Sequence, residues 1–340
     1  MKLIVHIGTG KTGTTSVQQA MKINSDLLES QGITYPTTIF DDHNILEAAV
    51  LEYDKLHRVY KSKFSQNQNE PKNIAQDLIS HIKMQKTEYI VLSGEYFFGL
   101  NKTNIKLLLD LIEVDTQDVK VICYIRNPSS FWLSGVQQYL KGSSNLSGLI
   151  EKKYNFKSGI INWGDIVGNE NLFLRCFEKS RLIQNDITQD FCDVLSKITK
   201  KSIQMPSTEN RNASVFSEQC IMMQELRQEL LSLPENTFSD DSRKLIRQIH
   251  LQSKDLNLTK MIFKPEVVQY IEHIHEEDVN WLLENYGLDI NCELIKNEEM
   301  IRTGKNIVSE SKVRNMLANY DKETLEVLKS RVMSKLSSRE

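Results

Sequence analysis

The run Ile4-Val5-His6-Ile7-Gly8-Thr9-Gly10-Lys11-Thr12-Gly13-Thr14-Thr15 constrains the fold more than any other part of the chain. An apolar stretch leads directly into three glycines, one lysine and four threonines, and then into helical spacing. That order predicts a strand, a tight loop and a helix N-terminus, which together make an anion site. Glycines let the backbone turn so that several N–H groups converge, and the helix dipole adds partial positive charge. Lys11 supplies a full charge, and Thr14 and Thr15 supply hydroxyl donors at the first turn. The common nucleotide loop reads G-x-x-x-x-G-K-[ST]. Gly10-Lys11-Thr12 provides its second half, but Val5 stands where its first glycine belongs. The loop is shorter, which weakens a kinase or ATPase reading without excluding it.

A second segment narrows the choice. Lys120-Val121-Ile122-Cys123-Tyr124-Ile125-Arg126-Asn127-Pro128 reads as a buried strand ending in an arginine. Ser129-Ser130-Phe131-Trp132-Leu133-Ser134 then opens a helix, with Pro128 suited to its first turn and Asn127 to its N-cap. Two separated cationic positions, Lys11 and Arg126, suit a ligand with two separated anionic groups, and a guanidinium grips phosphate in bidentate fashion.

These residues resemble the sulfotransferase superfamily, which uses 3′-phosphoadenosine-5′-phosphosulfate as donor, and in particular its bacterial branch. The H-x-G-x-x-K-T-G-T-T form of residues 6–15 is similar to that family's loop for the 5′-phosphosulfate. Arg126 with Ser134 is similar to its 3′-phosphate pair. Ile90-Val91-Leu92-Ser93-Gly94-Glu95-Tyr96-Phe97-Phe98 and Asn210-Arg211-Asn212-Ala213-Ser214 match in the same order, and weaker likeness runs through Trp163, Gly168, residues 171–178 and Asp190-Phe191. The resemblance spans roughly residues 1–290 and leaves 291–340 as a helical extension. It implies a P-loop-like parallel sheet flanked by helices, with donor contacts at Gly10, Lys11, Thr12, Gly13, Thr14, Thr15, Arg126, Ser134 and Arg211. The implied reaction moves a sulfuryl group to a hydroxyl, of a carbohydrate or another small glycoconjugate by family analogy. No metal is expected, because Lys11 and backbone amides take the role that magnesium has in kinases.

Sulfuryl transfer to an alcohol gains from a general base on the acceptor side and from positive charge at the leaving oxygen. Lys11 is the candidate for the charge. Two residues compete for the base. Glu95 follows the strand Tyr89–Ser93, and the resemblance implies a glutamate base before an aromatic pair, as in Glu95-Tyr96-Phe97-Phe98. His43, in Asp41-Asp42-His43-Asn44, offers an imidazole that titrates near neutral pH. His6 reads as a core residue behind the loop. Two other readings stay open: a P-loop kinase whose acid near Glu95 holds magnesium, and a nucleotide-binding protein without catalysis.

Hydrophobic residues form 40% of the 340, enough for a substantial core, and the net charge of −3 leaves no basic excess for general nucleic-acid binding. Five cysteines without CxxC spacing argue against zinc and a disulfide framework. No stretch reaches membrane-spanning length, and a strand at the very start leaves no room for a signal peptide, so a cytoplasmic protein is expected. Apolar runs alternating with helical spacing predict an α/β chain with a parallel sheet. Helices are expected over 15–31, 45–60, 73–86 and 104–112, with a polar loop over 61–72 and strands over 119–126 and 171–177. From about 215 the chain reads as helical, including Pro265–Tyr286. In the last fifty residues, Val313, Met316, Leu317 and Tyr320 share one face, and Leu325, Leu328, Val332 and Leu336 another. These two amphipathic stretches are expected to dock on the main domain or to form a homodimer.

Overall fold

The apolar runs of the first half pair into one sheet. The computed structural model describes residues 1–36, 39–150, 154–206, 215–229, 239–291 and 296–337. Five strands, β1 (Lys2–His6), β2 (Ile33–Thr34), β3 (Tyr89–Ser93), β4 (Val119–Ile125) and β5 (Leu172–Cys176), lie in the order β2-β3-β1-β4-β5. Every pairing is parallel. All residues of β3 and the last four of β1 are buried, the pattern of strands covered on both faces. The expected α/β class is therefore what the chain adopts.

The chain divides into two compact units. The first comprises residues 1–127, 155–210 and 281–290 and contains the whole sheet. One of its cores gathers Ile4, Val17, Met21, Val91, Ile122, Tyr124, Phe191 and Leu195 between the sheet, helix α1 (Thr14–Ile23) and the helix Ile187–Thr199. The helices Lys102–Ile112 and Phe156–Val167 pack on each other, and the latter lies on β4 and β5. Trp163 on it donates from Nε1 to the Phe97 carbonyl at 2.9 Å, tying that helix to the turn after β3. Near the C-terminal ends of β4 and β5, buried Asp190 accepts from Tyr124 Oη (2.7 Å), from Arg175 Nη2 (2.6 Å) and from the Ile183 amide (3.1 Å).

The second unit comprises residues 128–154, 211–280 and 291–340. Its secondary structure is helical: Pro128–Tyr139, Ser217–Glu229, Asp240–Gln252, most of Pro265–Tyr286, Glu298–Ser309 and Lys322–Ser337. Its core includes Trp132, Met222, Met223, Leu226, Met261, Phe263, Met316, Leu325, Leu328 and Val332. The face bearing Leu325, Leu328 and Val332 is thus buried within the chain, against Ser217–Glu229 and Asp240–Gln252, which is the docking alternative. Among the described residues no helix is long and apolar enough to cross a membrane.

Three local expectations need correction. The helix expected over 15–31 breaks at Asn24, after Thr14–Ile23 and before Ser25–Ser30. Asn24 Nδ2 donates to the Ala20 carbonyl at 2.8 Å, so the side chain competes with the helical ladder there. Residues 45–60 are not one α-helix but 3₁₀ turns, Asn44–Ala49 and Tyr53–Lys55, followed by the helix Arg58–Lys63, which runs from the expected helix into the expected loop. Asp42 Oδ1 caps the Asn44 amide and Glu47 Oε1 captures the His57 amide, both at 2.9 Å, and these bonds divert the chain from regular helix. The stretch 313–320 holds a single turn, Val313–Met316, followed by an antiparallel bridge between Phe263 and Leu317.

Candidate functional site

Parallel pairing brings the C-terminal ends of the strands to one edge. His6 lies opposite Ser93 on one side and Ile122 on the other, so the segments after β1 and β3 leave the sheet side by side. β1 also marks the place where the strand order reverses, from β3 on its one side to β4 on its other. Crevices at such reversals are where open parallel sheets bind ligands.

The loop after β1 is built from left-handed backbone. Gly10, Lys11 and Gly13 have φ of 60°, 57° and 77°. A methyl group on Gly8 would come 2.4 Å from Thr14 Oγ1, so the loop folds back on the helix more tightly than a side chain permits. The Thr9 hydroxyl donates to the Tyr124 carbonyl at 2.9 Å and fastens the loop to β4. Helix α1 then begins at Thr14 behind Gly13, and its first amides have no acceptor within the helix. Thr12 Oγ1 is buried with no hydrogen-bond partner among the described residues. Lys11 and Thr15 are exposed, and Gly10 and Gly13 are half-buried. An anionic oxygen is the ligand that satisfies such a set of donors.

Glu95, two residues beyond the end of β3, faces this loop. A methyl on Gly10 would lie 4.0 Å from Glu95 Oε2. Burial raises the proton affinity of the Glu95 carboxyl above the usual carboxylate range, opposed by the Lys11 charge and by the Thr14 hydroxyl, while nearby Asp42 adds to the rise. The Thr14 hydroxyl is near enough to favour the anion but makes no well-aligned bond to a protein group. Arg126, just past β4, donates from Nη1 to the Lys11 carbonyl at 3.2 Å, and its guanidinium lies 5.7 Å from the Phe177 ring centre. The structure thus brings Gly10, Lys11, Thr12, Gly13, Thr14, Glu95 and Arg126 together in the first unit. Ser134 belongs to the second unit, half-buried on Pro128–Tyr139, whose Ser129 amide is held by Glu272 Oε1 at 2.9 Å. Arg211 lies outside the described residues.

His43 is buried, and both ring nitrogens are engaged by backbone. Nδ1 accepts from the Ser93 amide at 3.0 Å, which fixes the tautomer so that Nε2 donates to the Pro36 carbonyl at 2.8 Å. Burial lowers its pKa to about 4. As a base it would have to break one of those bonds first, whereas Glu95 already presents an oxygen to the loop. His6, behind the loop, is also buried; its Nδ1 meets Ser93 Oγ at 2.9 Å, and burial lowers its pKa to about 3. Its place in the core is the one expected.

Sequence reasoning counted Gly8 in the loop motif but not among the donor contacts, which begin two residues later at Gly10, and it gave Asn44 no role. Asn44, whose Oδ1 accepts from the Tyr96 amide at 2.9 Å, carries no signal of its role, because the contact spans 52 positions. Comparison of the chain with models of known protein families and with curated proteins gave no match.

Proposed function

We propose that this protein is a sulfotransferase with a P-loop-like sheet, moving a sulfuryl group from 3′-phosphoadenosine-5′-phosphosulfate to a hydroxyl of a carbohydrate or glycoconjugate. The observation that carries the reading is the placement of Glu95 Oε2 against the Gly10–Lys11 turn. A carboxyl of raised proton affinity after β3, facing an ammonium on the loop after β1, supplies the two charges that an in-line transfer from phosphate to alcohol requires. Glu95 takes the proton as the acceptor oxygen bonds to sulfur. Lys11 offsets the negative charge that remains on the phosphate oxygen when the old sulfur–oxygen bond breaks. The amides and hydroxyls of Gly10, Thr12, Gly13, Thr14 and Thr15 hold the 5′ end, and Arg126 of the same unit holds the 3′-phosphate. The left-handed turn and the buried, unpartnered Thr12 hydroxyl fit such an anion. Free buried cysteines at 123, 176, 192 and 220 fit a reducing, cytoplasmic compartment.

Calorimetry tests the reading directly. Adenosine 3′,5′-bisphosphate should bind without metal and more tightly than adenosine 5′-phosphate, and Arg126→Ala should remove most of the difference. Equal affinity for the two nucleotides would overturn the two-anion site, and tight magnesium-dependent ATP binding would instead assign a kinase.

A further inference from the structure

The backbone on both sides of Glu95 is held by one short segment distant in sequence. The His43 amide donates to the Ser93 carbonyl at 2.8 Å, and the Ser93 amide donates to His43 Nδ1 at 3.0 Å. One residue further, Asn44 Oδ1 accepts from the Tyr96 amide at 2.9 Å. A methyl on Gly94 would come 2.9 Å from that same Asn44 oxygen, so the two segments meet without room for a side chain between them. The clamp is itself braced. His43 Nε2 holds the Pro36 carbonyl, the Tyr35 ring stands edge-on to the imidazole at 4.6 Å between centres, and Asp42 Oδ1 caps the Asn44 amide. From the other side, the Gly94 amide donates to the His6 carbonyl at 3.0 Å, and Gln18 Nε2 on α1 reaches Ser93 Oγ at 3.2 Å.

We infer that His43 and Asn44 are positioning residues that fix the Ser93–Tyr96 turn and thereby aim the Glu95 carboxylate at the phosphate loop. The inference rests on the proposed function for its catalytic meaning, but the geometric part concerns this turn alone. Three bonds from two consecutive residues bracket Glu95 at its second preceding and first following positions, leaving its own side chain as the free element of the turn. A carboxylate that must meet a substrate proton gains from such fixing, since a misplacement of about 1 Å can cost on the order of 10²-fold in rate. The groups facing the Glu95 carboxyl are Lys11 and Thr14 from the loop and α1, and Asp42 from the clamping segment. Release of the turn therefore alters the carboxyl's surroundings in a way that can be read without any substrate.

Two substitutions at His43 separate its nitrogens. His43→Asn keeps an acceptor near the place of Nδ1, whereas His43→Gln keeps a donor near the place of Nε2 and loses that acceptor. The Glu95 carboxyl is followed by carbon-13 NMR titration of glutamate-labelled protein, its signal assigned by its absence in Glu95→Gln. The expected result is a raised Glu95 titration in the natural chain and in His43→Asn, and a return toward the ordinary carboxylate range in His43→Gln. If His43→Gln does not fold, Asn44→Ala, which removes only the Tyr96 acceptor, should give the same return. An unaltered Glu95 titration in folded His43→Gln and Asn44→Ala proteins would overturn the inference, as would equal loss in His43→Asn. In turnover, His43→Gln should fall roughly 10²-fold in kcat with little change in KM, and His43→Asn should recover most of that loss. Should the carboxyl respond as expected while no variant, nor the natural chain, transfers a sulfuryl group, the turn assignment stands and the proposed function fails.

Discussion

The two units solve the same problem of holding irregular backbone in different ways. In the first, the parallel ladder fixes where each strand ends, and the loops after β1, β3 and β4 inherit their positions from that register. In the second, no strand of the sheet is present, and buried polar side chains hold the connections instead. Glu218, fully buried, accepts from the Thr259 amide at 2.9 Å and the Asp321 amide at 2.7 Å. Gln224 accepts from the Val313 amide and donates to the Ser144 and Ser311 carbonyls. His275 Nε2 accepts from the Tyr154 amide at 3.0 Å. The contrast teaches where each unit is vulnerable. Loop residues of the first that bond to no backbone can change without loosening its frame, whereas buried polar groups such as Glu218 and Gln224 are the frame of the second.

Four substitutions test that division, in order of expected effect. Glu95→Gln keeps size but cannot accept a proton, so kcat should fall by roughly 10²–10⁴ with bisphosphate affinity and melting temperature nearly unchanged. In the natural chain, the rate should fall as pH drops through the raised Glu95 value, and this acid limb should vanish in the variant. A parallel fall in melting temperature would break the comparison, because it would make Glu95 part of the frame. Lys11→Ala should cost on the order of 10²–10³ in kcat and less in donor binding, since its charge matters most as the leaving oxygen becomes anionic. A raised KM with unchanged kcat would reduce Lys11 to a binding group.

Glu218→Ala makes the opposite claim for the second unit. It removes the acceptor of the Thr259 and Asp321 amides, each hydrogen bond being worth about 0.5–1.5 kcal/mol net. Denaturant unfolding should register that loss, while bisphosphate affinity under native conditions stays as it was. The smallest effect belongs to Glu47, which, like Asp190, is buried in the first unit and holds backbone by its carboxyl. Burial raises its pKa to about 7. Between the ordinary value of 4.5 and about 7, the folded state binds more protons at this group than the unfolded one. Its contribution to stability is therefore present below pH 4.5 and is lost as pH rises through about 7. Glu47→Gln should flatten this part of the stability profile and raise the melting temperature at pH 8. An unchanged profile would show that Glu47 titrates normally.

What was legible in the sequence follows the same division. β1, β3 and β4 were readable because a doubly covered strand is a continuous apolar run, and the half-buried β5 was readable from its short run Leu172-Phe173-Leu174. The loop after β1 was readable because left-handed backbone demands glycine at Gly10 and Gly13. The helix Pro265–Tyr286 was readable from its proline start and from Gly287, which adopts φ of 65° just beyond it. The region 44–63 was not, because Asp42 and Glu47 look like surface acids and act as local acceptors that halt the helix. Asn24 was invisible for a similar reason: a side chain bonding back to Ala20 leaves no trace in the spacing of apolar residues. His43 was singled out for its chemistry, yet its ring serves the backbone of a strand fifty positions on, a relation that no local pattern encodes.

The left-handed conformation of Lys11 has a consequence beyond ligand binding. A side chain at φ of 57° costs the folded chain on the order of 1 kcal/mol, and glycine would adopt the same turn without that strain. The charge at this position is therefore kept against the interest of the fold. A selection for thermal resilience alone would be drawn to Lys11→Gly among its early steps, and would yield a hardier protein without the charge that the proposed reaction calls for.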